Sequence, residues 1–245
     1  MSVPSSSVPS SKATADHIEK SKIVVSYILC AHTNQSLRDA WAKTFSDIDG
    51  VNVAENGDLF QNPATALVSP ANSYGYMDGG IDAFFTPALG YDVEEQLQNK
   101  MSELGRYKTE IGDALLLPVI QSSNDNKVYW DYWISAPTMV TPMVLKKKSR
   151  NAYLAFRAVL RVVQKHNQTA GEKHQTPITS VGVPGLGTGI GAMDPMESAR
   201  HMREAYDEVI LGKEPQEPTA SGTKRSLDGT KKARQQPKKQ RLRKK

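Results

Sequence analysis

Two glycine-rich stretches contain the residue types that can hold an anion. The first runs over 66–81 (ALVSPANSYGYMDGGI) and continues into Asp82; the second covers 183–191 (VPGLGTGIG). Each follows an apolar run that reads as a strand and precedes a helical pattern. Glycine there permits positive φ and lets backbone N–H groups approach a phosphate closely. A helix N-terminus adds a favourable dipole. Two such turns facing one another suit a diphosphate; two tight turns without a ligand are the plainer alternative. Neither stretch has GxxxxGK[ST] spacing, which excludes a P-loop. Gly185, Gly187 and then Ile190 put isoleucine where a dinucleotide fingerprint needs its third glycine, so that reading fails too.

Other reactive side chains offer less. His17, His166, His174 and His201 show no metal-ligand spacing, so no metal is expected. His32 follows the first strand with Asn34 nearby, and either lines a pocket or is a polar loop residue. Cys30 ends an apolar run and reads as core. As the single cysteine it excludes an intrachain disulfide and a cysteine-cluster zinc site, which suits a reducing compartment. No Ser/His/Asp triad can be assembled from the spacing.

The elements that position these loops are legible as hydrophobic patterns. Residues 23–30 (IVVSYILC), 51–53, 66–68, 114–118, 128–135 and 178–183 read as strands. Four helical patterns are set among them. The first is capped by Ser36, with Leu37, Trp41, Phe45 and Ile48 inward. In the second, Asp92 and Glu95 form a capping box, Val93, Leu97, Met101 and Leu104 face the core, and Gly105 ends it. The third, 149–165, buries Tyr153, Phe156, Leu160 and Val163. The last has Asp194 as cap, Pro195 at its first position and Glu197 completing the box. Its face is Ala199, Met202, Tyr206 and Val209, and Gly212 closes it. This alternation predicts an α/β fold with a mixed, mostly parallel sheet covered on both faces.

Composition sets the outer limits. The hydrophobic share is 38% and the charged share 23%, as in ordinary globular proteins. No apolar run approaches the roughly 20 residues that cross a bilayer, so no membrane partner is expected. Residues 1–21 are Ser/Pro/Lys-rich, lack the pattern of a signal peptide and are expected to be disordered. Residues 213–245 hold 12 Lys/Arg against 3 Asp/Glu, whereas 1–212 hold 19 against 23. The basic character therefore belongs to a tail too poor in apolar residues to fold, and the folded unit is expected over 22–212. Basic clusters within 224–245 suit an import receptor or nucleic-acid phosphates, with a solvated, functionless tail as the alternative. No aromatic is interleaved, so base stacking by the tail is not expected. The expected location is the nucleus, the cytoplasm or both.

Three separated words occur in order: NGDLF (56–60), ALVSPANSYGYMDGGID (66–82) and VGVPGLGTGIG (181–191). Together with RYKTEIGDALLLP (106–118) and YWISAPTMVTP (132–142), they resemble the macrodomain family signature over about 51–211. NSYGY and the leading ILC are most similar to a fungal branch associated with ADP-ribose 1''-phosphate processing. The resemblance implies a three-layer αβα fold, ADP-ribose or an ADP-ribosylated protein as ligand, and no cofactor. Asp58 would accept the adenine amino hydrogen, with Leu59 beside it; its alternative role is a loop cap. Asn72 would hold the distal ribose, or else make an Asx-turn. Gly79, Gly80 and Ile81 would form the first phosphate loop. Gly185, Leu186, Gly187, Thr188, Gly189, Ile190 and Gly191 would form the second.

Members that hydrolyse ADP-ribosyl bonds carry an aspartate ten residues after that asparagine, and Asp82 stands there. It would activate a water at the anomeric carbon; its plainer role is an acid in a first helical turn. The chain departs from the pattern at Met77 and Asp78, where glycine is usual. It also departs after the last helix, where the family adds a strand and helix whose aromatic stacks on adenine. That task falls to Tyr74, Tyr76 or Tyr206. The expected activity is hydrolysis of protein-linked mono-ADP-ribose or of ADP-ribose 1''-phosphate. The alternatives are a non-catalytic reader and a nucleic-acid-associated protein acting through its tail.

Overall fold

The computed structural model describes residues 23–120 and 130–214. These belong to one of the chain's two units, which ends at Glu214. The N-terminal segment, Val128 and Tyr129 of the fifth expected strand, and the basic clusters of the tail lie outside the described residues.

Eleven elements follow in the order β1 (Ser26–Cys30), α1 (Gln35–Thr44), β2 (Val51–Val53), β3 (Ala66–Ser69), α2 (Asp82–Leu89), α3 (Val93–Glu103), β4 (Leu115–Pro118), β5 (Tyr132–Ser135), α4 (Asn151–Thr169), β6 (Ser180–Pro184) and α5 (Pro195–Val209). The strands form one sheet in the order β2-β1-β6-β3-β5-β4. Every pairing is parallel except β4 with β5, so the fold is the α/β one expected from the sequence, with a mixed, mostly parallel sheet flanked by helices.

Strand alternation builds two cores. Ala66 and Val68 of β3 and Ile134 of β5 join Tyr27, Trp41, Phe156 and Met202 on the face covered by α1, α4 and α5. Leu67 and Trp133, one residue out of phase, point the other way to Phe85, Leu97 and Met101 of α2 and α3. All four residues of β3 are buried, which explains its unbroken apolar run. Each fully buried large side chain here contributes roughly 1.5–3 kcal/mol.

The helix ends differ from expectation in several places: α4 runs over Asn151–Thr169 rather than 149–165, and α5 ends at Val209, before Gly212. Asn34, not Ser36, caps α1, its Oδ1 accepting from Leu37 N at 3.0 Å. Asn34 is one residue before the helix, where an N-cap must be, whereas Ser36 already lies inside it. Asp92 occupies the cap position of α3 without a cap bond, because its Oδ2 accepts from the Gln96 side chain instead. Leu104 falls at the C-cap and is 49% exposed, since the helix has already ended at Glu103. Asp194 caps α5 as expected, accepting from Glu197 N at 3.0 Å with Pro195 at the first position.

Candidate functional site

Because β1, β3, β5 and β6 run parallel, their carboxyl ends (Cys30, Ser69, Ser135 and Pro184) share one edge of the sheet. The segments leaving them, joined by the β2–β3 loop, surround a cavity of about 580 Å³. This is where open parallel sheets place ligands.

The first glycine loop is fixed by its own departure from glycine. Met77 is buried among the α3 side chains, its N–H donates to Glu94 Oε2 at 2.8 Å, and its carbonyl accepts from Thr86 Oγ1 at 2.9 Å. Anchored at both backbone groups, Met77 leaves Asp78, Gly79 and Gly80 exposed on the cavity side. Gly80 has φ +60. Among the described residues, the N–H groups of Gly79, Gly80 and Ile81 have no hydrogen-bond partner, and they lead straight into the N-terminus of α2. Such orphan donors are what an anion satisfies.

The second loop is held more tightly. A Cβ on Gly191 would stand 2.5 Å from the Gly187 carbonyl oxygen, and Gly187 has φ +74. Leu145, from the segment after β5, packs into the curl, and its N–H donates to Gly191 O at 2.9 Å. The N–H groups from Gly185 to Gly191 make no hydrogen bond among the described residues. The two loops meet across the cavity. A Cβ on Gly80 would lie 3.8 Å from Ile190 Cδ1.

At the end of the cavity beside β1 and β2, Gly57 has φ +63 and abuts the Ala31 carbonyl group and His32 N so closely that any Cβ would lie within 2.8 Å of them. That contact fixes Asp58 against the end of β1. Asp58 accepts from Phe60 N at 2.9 Å and Gln61 Nε2 at 2.8 Å while lining the cavity. Its loop-capping role is therefore present alongside its exposure to a ligand. His32 lines the cavity, with Nδ1 3.3 Å from Asn56 O. Cys30 is buried yet reaches the cavity floor; burial, then the Asp58 charge, pushes its thiol up to about 12, leaving it protonated and unreactive.

Asn72 also turns to its own loop. Its Oδ1 accepts from Tyr74 N at 3.0 Å and Tyr76 N at 3.4 Å, and its Nδ2 donates to Tyr76 O at 3.0 Å. This is the Asx-turn alternative, and one amide N–H is left for a ligand. Asp82 opens α2, is 6% exposed and accepts from Ser69 Oγ at 2.7 Å. Burial raises its pKa from 3.8 to about 6, opposed by the Ser69 hydrogen bond. A carboxyl so placed is ionised at neutral pH yet more basic than an exposed one, and it borders the cavity.

The structure thus gathers Asp58, Leu59, Asn72, Asp82 and both glycine loops around one cavity. Leu186 is the exception: it is fully buried in the core, and only its backbone, whose carbonyl accepts from Ser198 Oγ, belongs to the loop. Tyr206 is also remote, edge-on to Tyr27 and Phe45 within the core, so it cannot meet a base. Tyr74 stacks on Tyr76 outside the cavity, whereas Tyr76 lines it. Sequence reasoning missed Thr138, Met139 and Pro142 beyond β5, and Phe84 and Phe85 on α2. The signal for the first three was their place after a central parallel strand. Among the described residues no cluster of three metal-ligating side chains occurs, and no helix is long and apolar enough to cross a membrane.

The family model described as Macro domain matches residues 68–202, more than half of the 245-residue chain. An uncharacterized protein of Aeropyrum pernix is 30% identical over 167 residues, covering 68% of this chain and 76% of that protein. Of solved structures, the macrodomain of Mycobacterium tuberculosis DarG is 22% identical with a TM-score of 0.47, covering 62% of this chain and 86% of that one. A mutant Oceanobacillus iheyensis macrodomain with ADPR is 16% identical with a TM-score of 0.47, covering 62% and 74%.

Proposed function

Since the chain belongs to the macro domain family, we propose that its cavity takes ADP-ribose and that the protein hydrolyses a bond at the anomeric carbon of the distal ribose. The diphosphate lies between the two glycine loops, adenine points to Asp58, and the distal ribose lies by Asn72. Asp82 takes a proton from a water whose oxygen forms the new bond to the anomeric carbon. The bond from that carbon to the leaving oxygen breaks, and the leaving group departs with its electron pair and is protonated. The released group is a protein side chain or, for ADP-ribose 1''-phosphate, inorganic phosphate.

The observation that carries this reading is the approach of Gly80 to Ile190 across a cavity bordered by unpaired backbone donors. That arrangement suits a pyrophosphate, and a basic, buried carboxyl stands beside it. Calorimetry of the full chain with ADP-ribose, run beside a product assay on ADP-ribosylated protein and ADP-ribose 1''-phosphate, tests it. Absence of binding would remove the proposal. Placement in the fungal branch rests on NSYGY and the leading ILC alone, and turnover of the 1''-phosphate in preference to the protein conjugate is its test.

One observation favours a non-catalytic reader instead: most of the Asn72 amide is committed to its own loop. Binding without product formation from either substrate would establish it. Basic clusters in 224–245 support nuclear import or nucleic-acid contact by the tail. Replacing those lysines and arginines with glutamine is expected to shift the protein towards the cytoplasm, and an unchanged distribution would count against import.

A further inference from the structure

We propose that residues 140–148 form the docking surface for the polypeptide to which ADP-ribose is attached, and that this surface favours acidic residues beside the modified side chain. The inference rests on the ADP-ribose reading above. The segment after β5 runs along the cavity from the Asn72 loop to the second glycine loop. Met139 forms a parallel bridge with Asn72, and Ser73 N donates to the carbonyls of Met139 at 3.0 Å and Val140 at 3.2 Å. Met139 and Pro142 line the cavity. Leu145 N donates to Gly191 O at 2.9 Å, and its side chain fills the curl of that loop. A group joined to the anomeric carbon of a ribose held by Asn72 therefore leaves the cavity past this segment.

Val140, Met143 and Val144 are 38%, 49% and 67% exposed, three aliphatic side chains within five residues at the rim of a cavity. Lys146, Lys147 and Lys148 follow, all exposed, and among the described residues none of the three makes an ion pair. Arg150, next in line, is already committed to Glu204 and to the Tyr153 ring. An acidic flank pairs with the three free ammonium groups, and aliphatic residues beside it cover Val140, Met143 and Val144. Asp78, exposed on the opposite loop, repels the same flank and directs it towards the lysines. A nucleic-acid carrier fits less well, since 139–150 holds no aromatic ring on which a base could stack.

The test is calorimetry of the full chain with free ADP-ribose and with two peptides that carry ADP-ribose through a carbon–carbon bond, which hydrolysis cannot break. The peptides differ only in their flanks, Asp/Glu in one and Asn/Gln in the other. The acidic peptide should bind roughly three- to thirtyfold more tightly than the neutral one, as for three exposed ion pairs, and added salt should shrink the difference. Replacing Lys146, Lys147 and Lys148 together with alanine should abolish the preference while the neutral peptide and free ADP-ribose keep their ratio of affinities. Thermal melting should be unchanged, the three side chains being exposed and unpaired. Replacing the basic residues of 224–245 with glutamine should leave the preference in place. No preference in the unaltered protein, or one that survives the triple lysine variant, overturns the inference. A preference lost with the tail residues overturns it too, by assigning the attraction to the tail. Tighter binding of an ADP-ribosylated oligonucleotide than of the acidic peptide, lost in the lysine variant, overturns it in favour of a nucleic-acid carrier. In all of these cases free ADP-ribose still binds and the reading above stands. Failure of the unaltered protein to bind ADP-ribose removes that reading and this inference together.

Discussion

Replacing Asp82 with asparagine should make the protein more stable and less active at once. The carboxyl is 6% exposed, and burial raises its pKa from 3.8 to about 6, with Ser69 Oγ opposing the rise by donating a hydrogen bond. The folded state thus holds this proton more tightly than the unfolded chain does. Between about pH 4 and 6 the folded protein binds more protons, so its stability falls as pH rises through that window. Below pH 4 both states are protonated and nothing is lost. Above pH 6 the full cost is present, and at 1.36 kcal/mol per pKa unit it is ~3 kcal/mol. Asparagine cannot ionise, still accepts from Ser69, and presents its amide to the cavity. Asp82→Asn should therefore exceed the wild type by ~2–3 kcal/mol at pH 8, with the gap closing towards pH 4. Urea unfolding of both proteins at several pH values measures this, and the difference between them removes other titrating groups. A gap that does not change with pH would refute the burial account of Asp82.

The same carboxyl should set the pH dependence of turnover, with kcat rising through about pH 6 and levelling above it; a rate flat across that range would remove Asp82 as the base. Gly57→Ala places a methyl carbon 2.7 Å from the Ala31 carbonyl at φ +63. It should lower stability by roughly 1–3 kcal/mol and weaken ADP-ribose binding, read by thermal melting and calorimetry. Glu94→Ala removes the acceptor for Met77 N and should weaken ADP-ribose binding severalfold, whereas Trp41→Ala, in the opposite core, should cost ~3–5 kcal/mol of stability with affinity unchanged. Paired melting and calorimetry of these two variants check that contrast.

The fold was legible because its strands declare themselves. A run such as Ala66-Leu67-Val68 is apolar on both faces only in a covered parallel sheet, and the glycine loops follow such strands directly. Helix capping was less legible, since whether Asn34 or Ser36 caps depends on where the chain leaves β1, a tertiary matter. Side-chain direction was the other gap. Leu186 was read from its neighbourhood in the sequence, yet it turns into the core. Tyr206, by contrast, lies on the core face that the helical pattern gave it and so cannot also meet a base. Asn72 had two readings that sequence could not separate, because an Asx-turn and a ribose contact need the same residue after the same strand. Met77 looked like a flaw in a phosphate loop until α3 supplied a pocket for its side chain and Glu94 for its N–H.

The gripping of a diphosphate by two loops distant in sequence is the central claim, and amide NMR of the full chain titrated with ADP-ribose tests it most directly. The N–H resonances of Gly79 and Gly80 and those of Gly187, Gly189 and Gly191 should shift together and saturate with a single affinity at one ligand per chain. Shifts confined to one loop, or absent from both at saturating ligand, would contradict it.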